Sequence, residues 1–110
     1  MTLELPERVN ILGVVYSITY CDNPAEVDIY KRQSLWGQID FWTRTIRIYR
    51  NGQPPQDVWH TIWHEVVHGI VQALHMKALK EDEDEVDLLA LALVDVLARN
   101  GWMTLEPDAA

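Results

Sequence analysis

The spacing of apolar positions changes character twice along this chain, and the changes divide it into a strand-forming half and a helical half. From Val9 to Tyr20 the segment VNILGVVYSITY is dominated by β-branched and aromatic residues, with Gly13 near its middle as a turn or bulge, so it reads as a strand or a short hairpin. Asp22, Asn23 and Pro24 then bring turn chemistry, and the weakly periodic stretch that follows reads as a connection with one helical turn. In LWGQIDFWTRTIRIYRNG the residues alternate between apolar and polar over Ile39 to Phe41 and again over Ile46 to Tyr49, with a polar break around Thr43 and Arg44, which predicts a β-hairpin. Asn51, Gly52, Pro54 and Pro55 close the sheet, and proline at the start of a helix costs little because its missing N–H would have no partner there.

The second half has a helical period. Residues 56–79 contain no proline and are apolar around most of the circumference, through Val58, Ile62, Trp63, Val66, Val67, Ile70, Val71 and Leu74, so they predict a buried helix. The acidic run EDEDEVD opens a second helix over 82–100, where carboxylates suit the positive end of the macrodipole, and Asn100 and Gly101 stop it. The expected fold class is α+β: one small domain over 1–110. It has an antiparallel sheet of three to four strands within 1–55, a helix carrying the segment HEVVH, a C-terminal helix and a disordered tail at 103–110.

Composition narrows the possible partners. A formal net charge of −8 repels phosphate backbones and anionic lipid headgroups, so neither nucleic acid nor membrane is an expected partner. The single cysteine, Cys21, excludes an internal disulfide and every structural zinc site built from several thiolates, and fits a reducing compartment. No apolar run approaches the roughly 18–20 residues needed to span a bilayer, and the N-terminus lacks the features of a secretion signal. The expectation is a cytoplasmic protein.

Candidate chemistry sits in the first helix. His64 and His68 are four residues apart, so they share one face about 6 Å apart along the axis, and both imidazoles can reach one ion. Glu65 projects from the adjacent stripe, close enough to take a proton from a water activated by the metal without binding the metal itself. The spacing H-E-x-x-H thus points to zinc, with His64 and His68 as ligands and Glu65 as the catalytic general base. A catalytic zinc normally takes a third protein ligand. The elongated pattern with a further glycine and histidine is excluded, because Val71 and Leu74 stand at those positions. His60 and His75 read as structural or supporting residues. The favoured third ligand is Glu83, which shares a helix face with Val86, Ala90, Leu93 and Leu97, with Asp82 and then Asp87 as the next choices. Asp87, four residues beyond Glu83, can orient a ligand histidine through its outer nitrogen.

HEVVH followed after fourteen residues by Glu83, with Asp87 four further on, resembles the gluzincin arrangement of zinc peptidases. A closer likeness is to the ImmA/IrrE-type metallopeptidase domain and its short phage and prophage relatives. It is carried by GQIDFWTRTIRIY, HTIWHEVVHGI and EDEVDLLALALVDVL between Leu35 and Leu97. Where that family usually places Glu, Ala, Asn, Phe and Ala along the last helix, this chain has Glu83, Val86, Asp87, Leu89 and Ala90, and aspartate at 87 moves towards the gluzincin form. The resemblance implies a small zincin-like metallopeptidase domain over 1–110, a glutamate that binds zinc and an aspartate that orients a histidine.

The resulting expectation is a metalloendopeptidase acting on a peptide or protein substrate. Two alternatives stay open: a non-peptidase amide hydrolase, and a zinc-stabilised protein-binding module without turnover. The strand Thr45 to Tyr49 is the expected sheet edge for an extended substrate. Tyr16, Tyr20, Tyr30 and Tyr49 are candidate oxyanion donors, and the five tryptophans are expected mainly in the core, with Trp63 beside the site.

Overall fold

Gly13 does make a turn. In the computed structural model, which describes residues 5–79, 82–100 and 102–103, Leu12 and Gly13 both take positive φ (51° and 93°), as a two-residue hairpin turn demands. Asn10 Oδ1 accepts the Gly13 N–H at 2.7 Å. The turn joins strand β1 (Arg8–Ile11) to β2 (Val14–Cys21) in an antiparallel pair. A 3₁₀ turn at Pro24–Glu26 follows, capped by the Asn23 side chain. Strands β3 (Gly37–Asp40) and β4 (Thr45–Tyr49) then form the expected hairpin, whose turn is fixed by Asp40 Oδ1 accepting the Trp42 N–H at 3.0 Å.

The sheet order is β1-β2-β4-β3, and this corrects two expectations. The sheet is mixed, because β4 runs parallel to β2, with Ile18 beside Ile46 and Tyr20 beside Ile48. The β3–β4 hairpin returns its second strand into the gap next to β2, so β4 is internal and β3 is the edge. Central position explains the burial of Ile46 and Ile48, which are completely enclosed and worth about 1.5–3 kcal/mol each in transfer free energy.

The long excursion from β2 to β3 is held by a buried carboxylate. Asp28 accepts hydrogen bonds from the Tyr30 N–H (3.0 Å), Gln38 Nε2 (3.0 Å) and Arg32 Nε (3.1 Å). Burial pushes its carboxyl up, but the bonds from Arg32, Tyr30 and Gln38 outweigh that and hold it well below the usual carboxylate range. Arg47 of β4 ties the same segment down by donating to the carbonyls of Glu26 and Val27. The excursion therefore delivers β3 to the sheet edge in a fixed register.

Helix α1 (Pro55–Ala73) lies across the sheet, with Val58, Ile62 and Val66 packed on Ile18, Ile46 and Ile48. It ends six residues earlier than the expected 79. Met76 N–H bonds to Val71 O and His75 N–H to Gln72 O, while His75 takes φ 53°, which is a Schellman stop with histidine where glycine is usual. Helix α2 (Glu83–Arg99), within one residue of its expected bounds at each end, starts at an Asp82 cap whose side chain accepts the Glu85 N–H at 3.1 Å. Val86 of α2 packs against Val67 and Val71 of α1, so α1 is sandwiched between the sheet and α2. No described helix is long and apolar enough to cross a membrane. Of the expected tail at 103–110, all beyond Met103 lies outside the described residues.

The tryptophans also depart from expectation. Trp36, Trp42 and Trp102 are largely exposed, Trp42 to 90%, and only Trp59 and Trp63 pack against the core. Small β-branched side chains fill the space between helix and sheet, which leaves little room there for indoles.

Candidate metal centre

Helical spacing on α1 and the docking of α2 bring three side chains to one point. His64 and His68 Nε2 lie 3.1 Å apart, Glu83 Oε2 is 3.0 Å from His64 Nε2, and Glu83 Oε1 is 2.9 Å from His68 Nε2. Among the described residues, these three form the group able to hold a metal ion. A tetrahedral ion with bonds of about 2.0–2.1 Å sets neighbouring ligand atoms about 3.3 Å apart, close to what is observed. Glu83 keeps 69% of its side chain exposed and still reaches both histidines, because it sits in the first turn of α2, directly above them.

The chemistry of these donors also suits a cation. Asp87 Oδ1 lies 2.9 Å from His64 Nδ1, and the Asp87 carboxyl is held below its usual range: burial opposes this, and the bond from His64 together with the charges of His60 and His64 prevails. An ionised Asp87 can only accept, so His64 Nδ1 carries the proton and a neutral ring presents a bare lone pair at Nε2. That lone pair faces the Glu83 carboxylate and the His68 Nε2. Three acceptors converging at about 3 Å repel one another unless a proton or a metal ion sits among them. The protein groups alone respond with a proton: burial lowers the His64 pKa, but Glu65, Asp87 and Glu83 raise it to a net increase, while burial leads a net lowering at His68.

Of the alternative third ligands, Asp82 is engaged as the helix cap and Asp87 is bound to the outer nitrogen of His64, so neither faces the point of convergence. His75 stands beyond the end of α1 and is not part of the group. His60 touches Asp87, with its Nε2 3.0 Å from Oδ1.

A cleft of about 420 Å³ runs past Trp36, Gly37 and Thr61 to His64, Glu65 and Glu83. Glu65 is only 6% exposed, and burial pushes its carboxyl up to about 7; His64 and the Ile39 N–H oppose the rise and Glu83 adds to it. No tyrosine lines this cleft: Tyr16 is in the core, Tyr20 donates to Pro6 O, Tyr30 to Asp40, and Tyr49 packs edge-on against Trp36. Trp36, and not Trp63, walls it.

Gly37 is a residue the sequence does not advertise, because a glycine opening a strand carries no chemical signal of its own. A Cβ there would lie 2.6 Å from Thr61 Cγ2 and 3.0 Å from Glu65 Oε2, so the missing side chain lets β3 approach Glu65. Gly37→Ala is expected to destabilise the fold by about 1–3 kcal/mol through overpacking. Adding Thr61→Ser, which removes Cγ2 and keeps the hydroxyl bonded to Asp57 O, should recover part of that loss in urea denaturation.

Comparison of the chain with protein-family models, with curated proteins and with solved structures returned no match.

Proposed function

We propose that the protein is a zinc-dependent peptide-bond hydrolase of gluzincin-like design, with His64, His68 and Glu83 as ligands, Asp87 orienting His64 and Glu65 as general base. The observation that carries this reading is the convergence of three acceptor atoms beside a buried carboxylate that lines the same cleft. Two histidines and one carboxylate match the three-ligand donor sets of catalytic zinc sites, whereas closed structural sites take four protein ligands. A bound zinc ion supplies an acidified water and a Lewis acid for the carbonyl.

The residues of the chain do the rest. Glu65, with its carboxyl near 7, takes the proton of the attacking water and returns it to the leaving amine nitrogen. The Asp87 carboxylate keeps the His64 ring in the orientation and tautomer that ligation requires. Strand β3, unpaired on its outer side among the described strands, offers an extended peptide an edge at the mouth of the cleft. This replaces β4, which is enclosed on both sides. Trp36, 62% exposed at the cleft wall, gives an apolar surface for a substrate side chain.

The test is metal content and turnover measured together. Protein purified without a histidine tag should contain one zinc per chain, cleave unstructured peptides, lose activity to a chelator and regain it with added zinc. A folded chain that takes up no metal after reconstitution would remove the reading. A zinc-loaded chain that cleaves nothing in a diverse peptide library would leave a zinc-stabilised binding module.

A further inference from the structure

A hydrogen bond from one helix to a half-exposed carboxylate on the next is a loose tether unless something keeps that carboxylate from turning to water. Asp87 is such a group, rooted in α2 with half of its side chain exposed. Its Oδ1 meets two nitrogens of α1: His64 Nδ1 at 2.9 Å and His60 Nε2 at 3.0 Å. His60 and His64 are one helical turn apart on the same face, so both address a single oxygen from the same side. The His60 side chain is 28% exposed, but its Nε2 is buried, and the contact with Oδ1 has the distance of an ion pair without the angle of a full hydrogen bond. A buried imidazole nitrogen without a partner is costly, and the acceptor beside this one is the oxygen that orients His64.

We infer that His60 is a positioning residue of the metal centre that acts through Asp87. As the Nε2–H tautomer it holds Asp87 Oδ1 against α1. The oxygen held there keeps His64 in its Nδ1–H form, with the Nε2 lone pair aimed at the ion. The inference rests on the reading of His64, His68 and Glu83 as metal ligands and deepens it by one shell. Partners of this outer kind change metal affinity by roughly 10–100-fold, and a residue acting at one further remove belongs at the low end, about 10-fold.

The experiment measures zinc affinity of the full chain by competition with a chromophoric chelator, for wild type, His60→Ala, His60→Gln, Asp87→Ala and the double variant His60→Ala/Asp87→Ala. His60→Ala should weaken zinc about 10-fold. His60→Gln, whose amide can place a donor near the same oxygen, should recover most of that loss. In the Asp87→Ala background the His60 substitution should cost nothing further, because nothing is left for it to hold. His60→Leu fills the half-buried space without a donor and replaces the alanine variant should that one not fold. Ring ¹⁵N shifts of His64 in the metal-free chain, read at alkaline pH where the ring has given up its extra proton, provide a readout that a merely structural role would not move: the Nδ1–H tautomer in wild type, and a mixture in His60→Ala. Additive losses, an unchanged tautomer, or wild-type zinc affinity in both His60→Ala and His60→Leu would overturn the inference while leaving the metal centre standing. A wild-type chain that binds no zinc would overturn both.

Discussion

Glu65→Gln is expected to leave zinc stoichiometry and thermal stability at wild-type levels while lowering peptide hydrolysis by about 10²–10⁴-fold, the usual contribution of a positioned general base. Glutamine keeps the shape of the side chain, and burial already disfavours the charged form of Glu65, so exchanging it for a neutral amide removes no stabilising charge. What disappears is the ability to accept a proton in the cleft. Elemental analysis, a thermal melt and steady-state kinetics on one preparation separate the outcomes. Undiminished hydrolysis would place the base elsewhere, and loss of zinc would make Glu65 a ligand.

Removing Glu83 should have the largest effect on metal. Apparent zinc affinities of structural sites correspond to about 10–16 kcal/mol, so deleting one of three protein ligands is expected to weaken binding on the order of 10²-fold or more. Glu85→Ala is the matched control: it lies in the same first turn of α2, removes the same charge from the same end of the helix dipole, and is not part of the converging group. It should change zinc affinity by no more than about 2-fold, the scale of a surface charge near a site. Equal losses in the two variants, read by chelator competition, would reduce Glu83 to a contributor to the field and leave the site without its third ligand.

Much of this site is legible in the sequence because helical geometry is local. The spacing of His64, Glu65 and His68 fixes their relative directions wherever the helix lies, and the phase of Glu83 against Val86 and Ala90 points it towards the core side of α2. The β3–β4 hairpin is legible for the same reason, since Ile39 and Ile46 alternate across a turn signal. Which strand β4 meets on its other side is not local. Nothing in TIRIY distinguishes an edge from a centre, and the parallel pairing with β2 follows from a path held by Asp28, which belongs to neither strand. The end of α1 is hidden for a different reason: residues after Ala73 continue an apolar pattern, and the stop depends on His75 adopting a left-handed backbone that its side chain does not advertise. The contact of His60 with Asp87 lies in the docking of two helices, which the sequence pattern specifies only as apolar against apolar.

α2 packs chiefly on α1, where Val86 meets Val67 and Val71. His64, His68 and Glu65 all ride on α1, which is anchored to the sheet, whereas Glu83 and Asp87 ride on α2. The reactive constellation is therefore divided across a seam. Parting that seam would strip away one ligand and one orienting oxygen without disturbing the helix that carries the histidines. An ion held at the centre would act as a rivet through both helices, and α2 would then be the part of the fold whose opening and closing the ion governs.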